Sequence, residues 1–274
     1  MSLKEKVMVV NLSISQWSVR KYDSKVSREV NNNHSAAQDA GRFNKLLIAA
    51  DAMKEITRIT GAVRSFHYVN TLPWTDDGSR ILPAGNYFNY INEVNNHKQK
   101  FEEVVQEFIN QYPDLKEDAE YRLGTMFNVN DYPDTKEIEA KFRIKTTFMP
   151  IADENDFRVS MSNDEVAQIK SDITAELNNR VQNALNDILE RSREVVLHMA
   201  ETLAEPNKVF RDSLLGNVKA LVETIPLLNF TNDAHVNDVC NLLASLDYDP
   251  ETLRWKLSLR KEVAAKAKLI YNQI

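Results

Sequence analysis

The sequence predicts a mainly α-helical protein with a small antiparallel β element, an α+β class in which long antiparallel helices form an elongated body. Three observations predict it. The 274 residues include only 6 Gly and 8 Pro, too few for a turn-rich β fold. Residues 162–205 contain neither residue type, and Pro206 closes the run. Two segments, 142–149 and 157–161, alternate apolar and polar side chains around a turn at 150–156, as the strands of a hairpin do.

In chain order, Lys6 to Val19 reads as a strand, with Val7, Val9, Leu12 and Ile14 in partial alternation. From about Val26 the pattern turns helical. Phe43, Leu46, Leu47, Met53, Ile56, Ile59 and Val63 extend it past a break near Gly41, giving two helices or one kinked helix. Between Pro73 and Pro83 the Asp77-Gly78 pair marks a structured loop. Gly85 to Tyr112 follows as a helix with a short heptad seam, Tyr87, Ile91, Val94, Lys98, Phe101, Val105, Phe108 and Tyr112, which Pro113 ends. A shorter helix, Asp114 to Met126, then a turn at 130–133 and a helical stretch to Lys141 lead into the hairpin.

The run from Ser162 to Glu205 organises the rest. Val166, Ile173, Leu177, Ala184, Ile188, Val195 and Met199 recur with an eleven-residue period, which holds one apolar stripe on a nearly straight helix of roughly 60 Å. Ser162 and Glu165 form a capping box at its start. The seam of the 85–112 helix needs a partner of similar length, and this helix is the expected one, antiparallel. Three further helices are predicted over about 208–224, 233–246 and 250–272; the last begins with Asp249 as cap and Pro250 at the first helical position. Residues 1–161 thus form a basic head, helical hairpin and small sheet, and 162–274 the long helix and a helical bundle, in one continuous structural unit.

Net charge is −6, unevenly placed: residues 1–66 hold 11 Lys/Arg against 6 Asp/Glu, and 67–274 hold 23 against 34. A basic head on an acidic body suits a nucleic acid or an acidic surface of another subunit. Cys240 has no second cysteine to pair with and lies in an apolar pattern, so a reducing cytoplasm is expected. No run is apolar for long enough to span a membrane, and the opening residues lack a signal-peptide core, so neither a membrane nor export is expected.

The chain has no P-loop, GxGxxG, GxSxG or CxxC motif, so no catalytic residues and no cofactor are expected. Three sets of residues carry functional readings. Trp17, Arg20, Lys21, Tyr22, Lys25 and Arg28 interleave aromatics with cations, as in surfaces that stack bases and neutralise phosphates; the alternative is a strand end whose aromatics pack inward. Trp74, Asp76, Asp77 and Arg80 suit a partner-docking loop, against a Trp that pins its loop to the core. Glu194, His198 and Glu201 share a helical face and have metal-ligand spacing; ordinary pairing of polar side chains explains the same spacing.

Four segments carry a resemblance: residues 11–23 (NLSISQWSVRKYD), 39–47 (DAGRFNKLL), 71–83 (TLPWTDDGSRILP) and 156–159 (DFRV). They resemble an uncharacterised family of bacteriophages, prophages and some bacteria, over roughly residues 7–205. Its members are often encoded near AAA+ ATPases of the MoxR or cobaltochelatase type and von Willebrand A-domain proteins. The resemblance implies a phage or bacterial protein of the (host) cytoplasm with such a partner. It implies no activity and no site residues.

The expectation is therefore a non-enzymatic helical assembly or interaction protein, homo-oligomeric and serving as an adaptor to an ATPase or another protein. The alternatives are a nucleic-acid-binding accessory protein using the basic head, and a metal-binding protein or unrecognised enzyme.

Overall fold

A computed structural model describes residues 2–153 and 163–274. The elements in order are α1 (Leu3–Lys6), β1 (Val7–Ser15), β2 (Arg20–Tyr22), α2 (Ser24–Asn33), β3 (Asn44–Leu46), α3 (Lys54–Val69), β4 (Leu72–Pro73), β5 (Arg80–Pro83), α4 (Tyr87–Leu123), α5 (Thr135–Glu139), β6 (Arg143–Met149), α6 (Asn163–Ala204), α7 (Ser213–Leu228), α8 (Ala234–Ala244), α9 (Pro250–Trp255) and α10 (Leu257–Tyr271). The chain is mainly α with a small antiparallel β component. Strands β4, β5, β1 and β6 lie in that order in one sheet, and β2 pairs with β3 in another. The second predicted hairpin strand, 157–161, the capping residue Ser162 and the boundary at 161/162 lie outside the described residues.

The chain forms two compact units, one made of residues 1–11, 66–91 and 147–274, the other of 12–65 and 92–146. In the first unit, α6 is the central helix. Its stripe residues Ala184, Ile188 and Met199 are buried, and the helix packs on α10, α7, α8 and β4. α10 contributes Val263, Ala264, Ala267 and Ile270, small and branched residues at helical spacing that let two helix backbones approach closely. Val7, Val9, Leu72 and Ile81 close the same core, with β1 antiparallel to β5 in the register Val7–Pro83 through Val10–Arg80.

The second unit has its own core. Phe101, Val105, Phe108 and Tyr112 of α4 meet Ile56, Ile59 and Val63 of α3, with Trp17, Phe142 and Ile144. The predicted seam is therefore buried as expected at Val94 and from Phe101 to Tyr112, while Tyr87 and Ile91 are half-buried and Lys98 is exposed. The expected pairing of this helix with the long helix is corrected: Phe101 to Tyr112 are satisfied inside the second unit, and the long helix packs chiefly on α10. A hydrophobic period states which face is apolar and leaves open what that face meets.

Pro113 does not end α4, which continues to Leu123. A proline costs a helix one hydrogen bond and crowds the preceding turn. Here Ala119 and Leu123, buried about two and three turns beyond it, keep the helix on the core. Pro226 likewise lies inside α7. Phe43, Leu46 and Leu47, expected in a helix, lie in and beside β3, because α2 stops at Asn33 and the chain turns back to pair with β2. The predicted 250–272 helix is broken at Lys256, whose φ of −101° and ψ of 86° are not helical.

Candidate functional site

The basic segment begins with β2, a strand of three consecutive exposed residues, Arg20, Lys21 and Tyr22. It pairs with β3 in the register Arg20–Leu46, Lys21–Lys45 and Tyr22–Asn44. Alternation places Arg20 and Tyr22 on one face. The Arg42 guanidinium lies over the Tyr22 ring at 4.8 Å from its centroid, and that ring is 42% exposed. Arg122 reaches in from α4 and donates to the carbonyls of Leu46 (2.5 Å) and Leu47 (3.1 Å). Lys25 and Arg28 are exposed on α2.

Asp23, the carboxylate nearest in sequence, is already committed. It caps α2 by accepting from the backbone N–H of Lys25 and Val26, both at 3.1 Å, and faces Lys45 at 3.4 Å. The Val26 N–H, and after it Lys45, hold its carboxyl below the usual range against the opposing effect of burial. Lys45 is 5% exposed and also meets Asp131 at 2.7 Å and the Met126 carbonyl at 2.6 Å. Trp17 is not part of this surface. It is 8% exposed and packs edge-on against Phe108 and Tyr112 at 6.4 and 5.9 Å.

In the first unit, the predicted loop around Trp74 is the turn of the β4–β5 hairpin, closed by the Trp74 N–H donating to Ser79 O at 3.1 Å. Trp74 is buried, with the Arg180 guanidinium 5.8 Å above its ring, which is the core-pinning arrangement. Asp76 and Asp77 are exposed. The Thr75 hydroxyl and the Ser79 N–H hold the Asp77 carboxyl down to about 2. Arg80 turns away from both acids: its Nε donates to Thr71 Oγ1 (2.7 Å) and its Nη2 to Thr71 O (2.8 Å). Arg191 joins it, donating to Val69 O (3.1 Å) and Thr71 O (2.9 Å) while paired with Asp187 at 2.6 Å. Two cations thus close the carbonyl end of α3, where the helix dipole favours positive charge.

Glu194, His198 and Glu201 are all exposed on α6. Among the described residues no group of three His, Cys, Asp or Glu side chains is placed to hold a metal. The shared face carries no geometry beyond its helical spacing.

A fourth site was missed by the sequence reading. Arg260 is 4% exposed and has no carboxylate partner among the described residues. Its guanidinium donates instead to four backbone carbonyls at and beyond the end of α6: Thr202 (3.1 Å), Leu203 (3.1 Å), Glu205 (2.6 Å) and Lys208 (2.7 Å). It also lies over the ring of Phe210 at 5.2 Å. Arg254 lies over the same ring at 5.1 Å, donates to Phe210 O at 3.2 Å and pairs with Asp212 and Glu251. Residues six apart in a continuous helix are separated by about 9 Å along the axis and roughly 120° around it. The break at Lys256 is what lets both guanidiniums reach one ring.

The clamp fixes a corner at which apolar side chains stand in water. Val209 is 92% exposed, Trp255 83% and Leu257 51%. Arg211, Lys256 and Lys261 surround them, exposed and without an ion-pair partner among the described residues. The available signal was that Leu257 and Leu269 fall off the stripe of Val263, Ala267 and Ile270.

No helix among the described residues is long and apolar enough to cross a membrane. No protein-family model, no curated protein and no solved structure matches the chain.

Proposed function

We propose that this chain is a non-enzymatic assembly protein that joins copies of itself head to tail, the Trp255 corner of one copy seating in an apolar groove on the next. The observation that carries the reading is the pairing of an 83% exposed Trp with a backbone clamped by two arginines. A large rigid ring held out by a fixed framework loses little entropy on burial and is the residue type most enriched at the centre of interfaces.

The groove lies along the N-terminal half of α6, where Ile169, Ile173 and Leu177 line a cavity of about 480 Å³. Asp172 rims it together with Asp153, paired with Lys4, and Glu176, paired with Arg180, which leaves the rim one charge negative, opposite in sign to the Arg211, Lys256 and Lys261 surround of the corner. A corner and a groove built from different residues, toward opposite ends of α6, make a heterologous contact, which propagates or closes a ring. Burying one Trp contributes roughly 5 kcal/mol, which little more than offsets the ~4 kcal/mol or more of lost rigid-body freedom, so micromolar assembly draws about 7 kcal/mol more from Val209, Leu257 and the charged rim. The phage or bacterial setting, and the AAA+ ATPase or von Willebrand A-domain protein implied by the resemblance, belong to the same proposal as the partner of the assembled form.

The test is complementation in sedimentation velocity. Trp255→Ala and Ile173→Asp each leave a monomer, and mixing the two variants restores a dimer and nothing larger, because each retains one intact half of the contact. A wild type that stays monomeric at tens of micromolar overturns the reading, and so does a Trp255→Ala variant that assembles like wild type.

A further inference from the structure

We infer that the β2–β3 ribbon of the second unit is a binding site for single-stranded nucleic acid. Five cations, Arg20, Lys21, Lys25, Arg28 and Arg42, are exposed here, and none is in an ion pair among the described residues. Within residues 17–46 the acids are Asp23, Glu29 and Asp39, and Asp23 is consumed by its cap and by Lys45. The buried Lys45 therefore does more than hold unit structure: by drawing Asp23 inward it leaves the cations outside it uncompensated. Arg122, fixed on the carbonyls of Leu46 and Leu47, adds a sixth positive charge next to Arg20 in the strand register.

Charge alone would serve any polyanion, and the ring narrows the class. Tyr22, with the Arg42 guanidinium over its ring at 4.8 Å, stands on the face that it shares with Arg20. Both surfaces accept a nucleobase face, and a base offers its face only when it is unstacked from its neighbours. Arg20 and Tyr22 are two residues apart on an extended strand, a rise of roughly 7 Å, comparable to one nucleotide of an extended single strand. A base on the Tyr22–Arg42 pair thus brings its phosphate within reach of Arg20 or Lys21. The second unit as a whole carries 17 Lys/Arg and 17 Asp/Glu, so attraction comes from this patch and not from a general basic field. Three or four phosphate contacts then predict a salt slope of roughly −2 to −3.

The test is fluorescence anisotropy of a labelled oligothymidine, an RNA of equal length and their duplex, titrated between ~50 and ~200 mM salt. The expected result is that the single strands bind more tightly than the duplex. Arg20→Ala and Lys21→Ala each reduce the slope by roughly 0.7 per phosphate lost. Tyr22→Ala weakens binding roughly tenfold with the slope unchanged, and Tyr22→Phe retains wild-type affinity. All three positions are at the surface, and matching thermal melts establish that the four variants fold. Repeating the titration with Trp255→Ala separates this site from assembly, since the ribbon binds in the monomer. A duplex or inorganic polyphosphate bound as tightly as the single strand, or a Tyr22→Ala variant that binds like wild type, overturns the inference.

Discussion

His67 Nδ1 and Tyr90 Oη lie 2.8 Å apart, with His67 4% exposed and Tyr90 fully buried. Burial, and after it the nearby Arg80 guanidinium, pulls the His67 imidazole down from 6.5 to about 4, and burial alone raises the Tyr90 phenol. Both groups are therefore neutral at pH 7 and share one hydrogen bond in the core of the first unit.

This pair makes stability depend on pH. The unfolded chain protonates His67 near 6.5 and the folded one near 4, so between these values the unfolded state binds more protons. The contribution is complete above 6.5 and is lost as pH falls, at up to ~1.4 kcal/mol per pH unit. Urea midpoints measured from pH 6.5 to 5 should fall steadily in wild type. His67→Gln, which stays neutral, should flatten that part of the curve.

Replacing Phe101 or Val105 with Asp should unfold the second unit and not merely separate subunits. Both side chains are buried against α3 and Phe142, and an unpaired carboxylate there costs several kcal/mol. Circular dichroism with sedimentation decides it: a folded monomer of Phe101→Asp would mean that the seam lies between chains.

Asp131→Asn removes one of two carboxylates facing a buried ammonium. The two carboxylates currently raise the Lys45 pKa despite the opposing pull of burial, and a buried cation stripped of a partner typically costs about 3 kcal/mol. Chemical denaturation should register a loss of that order, and Lys45→Met in the same background should recover part of it.

Arg260→Lys keeps the charge and loses the planar fork. One ammonium has three donors and cannot span carbonyls from Thr202 to Lys208 while covering Phe210. The expected cost is about 2 kcal/mol or more, with faster hydrogen exchange in residues 200–212 than in the α6 centre.

The helices were legible where the chain is locally consistent. α6 was read to within one residue of its C-terminal end because nothing in 163–204 opposes a helix and Pro206 bars its continuation. The faces of α4 were read correctly, from Val94 to Tyr112, and its end was not, since Pro113 is outweighed by burial that lies further along the chain. β2 was invisible: Arg-Lys-Tyr has no apolar alternation, and its partner strand is some 20 residues away. Trp17 was grouped with the cations because spacing in sequence cannot say which side of a strand end faces the core. The Trp255 corner was hidden by a good helix start at Asp249-Pro250 and a single non-helical residue, Lys256.

The Arg260 clamp also sets a timetable. The carbonyls it closes lie 52 to 58 positions earlier in the chain, so a growing polypeptide that has just released α6 carries that helix with an open, fraying end. During synthesis the stretch from Thr202 to Lys208 is therefore open to a protease or a chaperone, and it becomes guarded only once residue 260 has left the ribosome and folded back.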